Sequence, residues 1–194
     1  MSTVKKRSLI LVHLCSSVAL FVLRGETGSE VCGTCHRDIF RSYQATGMAR
    51  SSGAVADIEN EGSFAHKLSG VGYRIFRQDG AAWFGFDVAG MQGRRRLEYF
   101  IGSGAVGRSY LYTIDSFLYQ APVSWYAGPA RWDLSPGYTQ YDHLYLTRGI
   151  ETVCLQCHAS RLQPAAGTSN GYASPPFREG GVSCERCHTS RLRW

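Results

Sequence analysis

Six cysteines and three histidines share one repeated spacing: Cys32-Gly33-Thr34-Cys35-His36, Cys154-Leu155-Gln156-Cys157-His158 and Cys184-Glu185-Arg186-Cys187-His188. Two thiols three residues apart lie on about one turn of backbone. Both can therefore reach the vinyl groups of a single porphyrin and form thioethers, and the histidine after the second thiol then lies beneath the iron. Zinc sites built from two C-x-x-C units, structural disulfides and thioredoxin-like redox pairs also use paired cysteines. None of these asks for histidine after the second cysteine. The chain has six histidines, and three of them stand in that position. The pattern implies three covalent haem c groups, with His36, His158 and His188 as axial ligands and the six cysteines as attachment points.

Each motif histidine fills one axial position and leaves the opposite one to another group. Outside the motifs and the N-terminal segment only His66 and His143 remain. If both ligate, two irons are bis-histidine, and the third takes Met48 or Met91, an external ligand, or none. Met48, in Thr46-Gly47-Met48-Ala49, is the stronger of the two methionine candidates, since Met commonly serves packing. Methionine raises a haem's potential relative to histidine, and an open iron can bind small molecules.

The elements that must position these residues fall into three zones. After the first cysteine pair, Ile39, Phe40 and Tyr43 recur at helical spacing, and Gly47 offers a stop. The cysteine-free middle alternates apolar and polar residues with period two. It offers Tyr73, Ile75, Trp83, Phe84, Phe86, Leu97, Tyr99, Ile101, Tyr110, Tyr112, Ile114, Leu118 and Val123 as buried positions. Gln78-Asp79-Gly80 and Asp115-Ser116 read as hairpin turns, and Gly102, Gly104 and Gly107 permit a bend before a strand beginning near Ser109. From about Trp132 onward little regular structure is expected, and residues 164–176 are rich in Gly, Ser and Pro. The fold class is α+β: short helices and loops around the haems, with an inserted antiparallel β unit over about residues 64–125.

Lys5, Lys6 and Arg7 precede an apolar run from Leu9 to Leu23, the arrangement of an export signal. Residues 1–28 are read as a signal peptide or uncleaved membrane anchor, Cys15 as part of it, and residues 29–194 as the haem domain. The location implied is periplasmic or otherwise outside the cytoplasm. The net charge of +6 includes that basic leader, and the remaining cations are scattered apart from Arg94, Arg95 and Arg96, which suit a solvated strand or loop. Nucleic acid is not indicated. The expected partners are redox proteins, membrane-bound ones among them.

The first zone, C-G-T-C-H-R-D-I-F-R-S-Y-Q-A-T-G-M-A-R, resembles the opening of multihaem cytochromes of the cytochrome c-554 class. Phe64-Ala65-His66, Ile101-Gly102-Ser103-Gly104, Pro122-Val123-Ser124-Trp125-Tyr126 and Ser135-Pro136-Gly137-Tyr138 resemble a bacterial branch often linked to tetratricopeptide repeats. The resemblance implies exported electron-transfer proteins with mostly bis-histidine haems. Related chains commonly continue past C-E-R-C-H to a further histidine, whereas this sequence has Thr189-Ser190-Arg191-Leu192-Arg193-Trp194. A truncated gene product is therefore expected, and the haem at Cys184 and Cys187 is the one expected to lack a histidine cap. Electron relay is the leading function. An oxyanion reductase working at an open iron is the alternative, and a haem-based sensor is a third class. Mass spectrometry of the denatured, matured chain should find close to three haem masses on the polypeptide; zinc without haem would refute the reading.

Overall fold

The computed structural model describes residues 28–188, so the expected leader and residues 189–194 lie outside it. Period-two alternation gives strands, as the sequence requires. Four of them, β2 (Gly62–His66), β3 (Val71–Gln78), β4 (Ala81–Val88) and β5 (Met91–Arg96), form an antiparallel meander. Five others, β1 (Ser52–Ala54), β6 (Tyr99–Ile101), β7 (Gly107–Ile114), β8 (Phe117–Tyr126) and β9 (Arg131–Leu134), pair antiparallel in the order β1-β6-β7-β8-β9. A hairpin of β10 (Ala159–Pro164) and β11 (Tyr172–Gly180) follows. The helices are short: α1 (Ser29–Cys35), α2 (Arg37–Gln44), α3 (Thr152–Gln156) and α4 (Cys184–Cys187). Among the described residues no helix is long and apolar enough to cross a membrane. The chain is α+β, with strands well beyond the expected insert.

Turn chemistry fixes the register. Asp79 and Gly80 have φ of 52° and 70°, and Asp115 and Ser116 have 49° and 69°. Two left-handed residues in succession match the twist of the strands they join. A third such turn, at Ala89 and Gly90 (φ 50° and 81°), was not legible, because alanine rarely adopts that conformation.

Tyr73, Ile75 and Phe84 point from the four-stranded sheet into a core shared with Tyr110, Tyr112 and Val123 of the five-stranded sheet. β7 is buried on both sides. Leu111, between the two tyrosines, enters a second cluster with Leu118, Ile150, Leu155, Tyr172 and Phe177. That cluster corrects the expectation of sparse structure after Trp132: the β10–β11 hairpin is ordered by side-chain packing against the back of β7 and β8. Trp83 corrects another expectation, since it lies on the outer face of β4, where the Arg94 guanidinium covers its ring at 4.7 Å. Phe86, Tyr99, Ile101 and Ile114 are half-buried. The arginine triplet occupies the exposed edge strand β5, where like charge discourages strand addition.

Burial pushes the Tyr73 hydroxyl up to about 12, and Tyr110, Tyr112 and Tyr138 are raised further for the same first reason. Because folding favours the neutral phenol, this stabilisation is complete below the ordinary value of 10.0 and is lost as pH rises through the folded values. Denaturant titrations at pH 9 and pH 11 should show lower stability at the higher pH, the loss setting in near pH 10, where the unfolded tyrosines ionise and the buried ones do not. Unchanged stability at pH 11 would contradict the burial.

Candidate functional site

Each cysteine pair lies on a helical turn that ends at its histidine. α1 closes at Cys35, and His36 leaves helical geometry (φ −110°, ψ 51°) while its N–H donates to the Cys32 carbonyl at 2.9 Å. α4 repeats this: His188 has φ −105° and ψ 72°, and its N–H donates to the Cys184 carbonyl at 2.8 Å. The second turn closes more tightly, with the His158 N–H on the Leu155 carbonyl at 2.9 Å, an i to i−3 bond. Leu155 is fully buried while Cys154 and Cys157 are exposed, so the residue between the thiols anchors the turn and the thiols face outward. Burying that leucine stabilises the anchor by roughly 1.5–3 kcal/mol.

Hydrogen bonds across large sequence separations draw the three turns together. The Ser29 hydroxyl accepts the Cys184 N–H at 3.0 Å, joining the first turn to the third. Tyr43 of α2 donates its hydroxyl to the Val182 carbonyl. The Arg186 guanidinium donates to the Gln156 carbonyl at 2.7 Å, joining the third turn to the second. The Ser51 hydroxyl lies 2.9 Å from the carbonyl oxygens of both Met48 and His158, with its one proton to share between them. The Val182 N–H reaches the same Met48 carbonyl at 3.0 Å. The Met48 backbone thus sits where the turns meet, while its side chain is 51% exposed.

The residues present fit haem. All six motif thiols are free, and among the described residues no three His, Cys, Asp or Glu side chains gather around one metal ion, so the thiols do not assemble a zinc tetrahedron. The first and third turns open onto one largely apolar cavity of about 640 Å³, lined among others by Cys32, His36, Phe40, Tyr43, Cys184 and His188. α2 buries none of its residues, and Ile39 is 69% exposed, an apolar face that a porphyrin would cover. Nδ1 of His158 is buried without a hydrogen-bond partner. Burial, with Cys184 and Glu185 alongside, pushes the Cys32 thiol up. Burial and the neighbouring Cys184 and Cys187 likewise raise Tyr43.

The other histidines lie on different elements. His66 ends β2, half-buried, with Nδ1 2.9 Å from the Ser69 hydroxyl. His143 lies in the loop after β9, with Nδ1 2.8 Å from an Asp142 carboxylate oxygen. That contact holds the Asp142 carboxyl below its ordinary range. In both histidines Nδ1 is engaged, which leaves Nε2 as the nitrogen for an iron. Neither lines the cavity shared by the first and third turns. Met91 is exposed in the β4–β5 turn region.

Residues 139–189 match the family model of cytochrome c554 and c-prime, a span that takes in His143 and the second and third motifs. Over that segment the chain is similar to cytochromes of that family. No curated protein matches. A crystal structure of the outer cell wall cytochrome OcwA is similar, with a TM-score of 0.49 and 17% identity over 82% of this chain and 30% of that one. The chain thus spans about 30% of that protein's length.

Ser29, Tyr43, Ser51, Arg186, Gly180 and Gly181 organise the site without any sequence signature, because each acts on a partner far away in the chain or along bare backbone. A Cβ on Gly181 would stand 2.1 Å from the Ala49 carbonyl, and one on Gly180 would stand 2.3 Å from that of Ser52. Gly181 also has φ of 76°. Gly181→Ala should therefore destabilise the protein by about 1–3 kcal/mol from backbone strain alone and lower haem occupancy at the third motif. Denaturant titration and haem-to-protein mass ratios would read this, and wild-type values for both would contradict the close crossing.

Proposed function

We propose that this protein is an exported electron relay carrying three covalent haems, at Cys32 and Cys35, Cys154 and Cys157, and Cys184 and Cys187. The observation that carries the reading is convergence. Two attachment turns from opposite ends of the described chain share a cavity, and a third is bonded to one of them through Arg186 and Gln156. Haems held on turns joined in this way would be neighbours, the arrangement an electron relay needs. The family match speaks for electron transfer and lends nothing to an oxyanion reductase.

Haem supplies the redox couple. The chain attaches it through the thiols, ligates it through His36, His158 and His188, and sets its potential through the opposite axial groups. His66 and His143, with Nδ1 engaged by Ser69 and Asp142, would each offer Nε2 to an iron. The remaining iron takes Met48, whose backbone lies at the junction of the turns, or exchanges external ligands. The location is outside the cytoplasm, and the partners are redox proteins, some of them bound to membranes.

Low-temperature electron paramagnetic resonance of the matured full chain, combined with potentiometric titration, tests this. Two low-spin bis-histidine signals and one distinct iron are expected. His66→Ala should convert one low-spin haem to high spin or raise its potential, with all three haems still attached. Three identical bis-histidine signals from a monomer would overturn the ligand assignment, and a single redox-active haem would overturn the relay.

A further inference from the structure

The two histidines that cap irons in the proposed function differ in what grips their second nitrogen. His66 meets a neutral hydroxyl, Ser69 Oγ, at 2.9 Å. His143 meets a carboxylate, Asp142 Oδ1, at 2.8 Å. A carboxylate accepting the Nδ1 proton gives the imidazole more anionic character, makes Nε2 a stronger donor and favours the ferric over the ferrous iron. A hydroxyl does so far less.

His143 also needs orientation, because its side chain is 63% exposed. Two tyrosines provide it. The rings of Tyr141 and Tyr145 stand edge-on to the imidazole at 5.8 Å and 6.4 Å. They pack on each other at 4.5 Å, and each lies 6.0 Å from Tyr138. Tyr138 is buried, and its hydroxyl donates to the Gln120 carbonyl at 2.7 Å, which ties the aromatic block to β8. The ring is thus fixed in plane by tyrosines and in rotation by Asp142, with Nε2 turned away from the carboxylate.

We propose that Asp142 is a positioning residue that holds His143 for ligation and sets the haem it caps at a lower potential than the haem capped by His66, giving the relay a direction. The inference rests on both histidines acting as axial ligands. It adds a rank order that the ligand set alone does not contain, since both irons would otherwise be bis-histidine.

The test is potentiometry of the matured full chain, with each haem followed by its electron paramagnetic resonance signal. Asp142→Asn keeps the shape of an exposed side chain and removes the charge. It should leave all haems attached and low-spin haems low-spin, and raise one midpoint by about 59 mV, a tenfold change in that haem's oxidised-to-reduced ratio at fixed potential. His143→Ala should turn that same haem high-spin. Ser69→Ala should move the other bis-histidine haem by less than threefold on the same scale. If His143→Ala alters one haem but Asp142→Asn moves no midpoint, or lowers it, the inference fails and the ligand assignment survives. A shift with Ser69→Ala as large as that with Asp142→Asn overturns the rank order. If His143→Ala leaves every low-spin signal intact, the ligand assignment fails and the inference with it.

Discussion

Backbone passes against backbone where Gly180 and Gly181 cross the segment from Ala49 to Ser52, with no space for a side chain between them. The three Cys-x-x-Cys-His turns depend on that crossing. Their helices run from four to eight residues, too short to persist alone in water. α1 and α2 lead into one strand of the crossing, α4 leads out of the other, and the Ser51 hydroxyl reaches from it to the turn at His158. The Gly181 N–H bonded to Ser52 Oγ at 3.0 Å and the Ser160 hydroxyl bonded to the Gly181 carbonyl at 3.1 Å lock the strands in register. Three short turns with little structure of their own thereby acquire fixed relative positions.

The β scaffold supplies what the crossing rests on. β7 divides its residues between two cores, so the four-stranded sheet on one side and the β10–β11 hairpin on the other are held by one strand. The loop between β1 and β2 is closed by a partly buried ion pair, Arg108 with Glu59 at 3.1 Å, whose carboxylate also accepts the Tyr110 hydroxyl at 2.6 Å. Arg108 lies over Phe100 at 4.2 Å as well, so its charge and its flat face are both used. Desolvating the charges offsets much of their attraction, so the pair adds little net stability.

The sequence made the chemistry legible and left its arrangement hidden. Cys-x-x-Cys-His is a local pattern whose spacing carries its own meaning, and the alternation of Tyr73, Ile75 and Phe84 reports a one-sided strand in the same local way. The turns at Asp79-Gly80 and Asp115-Ser116 were readable because those residues tolerate left-handed backbone. Trp83 was misplaced because alternation identifies two faces without saying which is inner, and an arginine can cover an outward indole. The β10–β11 hairpin went unseen because its register shifts between Leu162 and Pro164 and its second strand contains prolines, which blur the period. Ser29 meeting Cys184, or Tyr43 meeting Val182, leaves no trace in a single sequence, because the partners lie some 140–155 positions apart.

That separation also bears on the order in which the molecule closes. Hairpins such as β3–β4 and β7–β8 join neighbouring stretches of chain, whereas the cavity shared by the first and third Cys-x-x-Cys-His turns joins residues near both ends of the described chain. Contacts of such high sequence separation form only after a large loop entropy has been spent, and they follow local pairing. The thiols of Cys32 and Cys184 therefore remain apart and open to solvent through most of folding, and they become neighbours only when the two ends of the described chain meet.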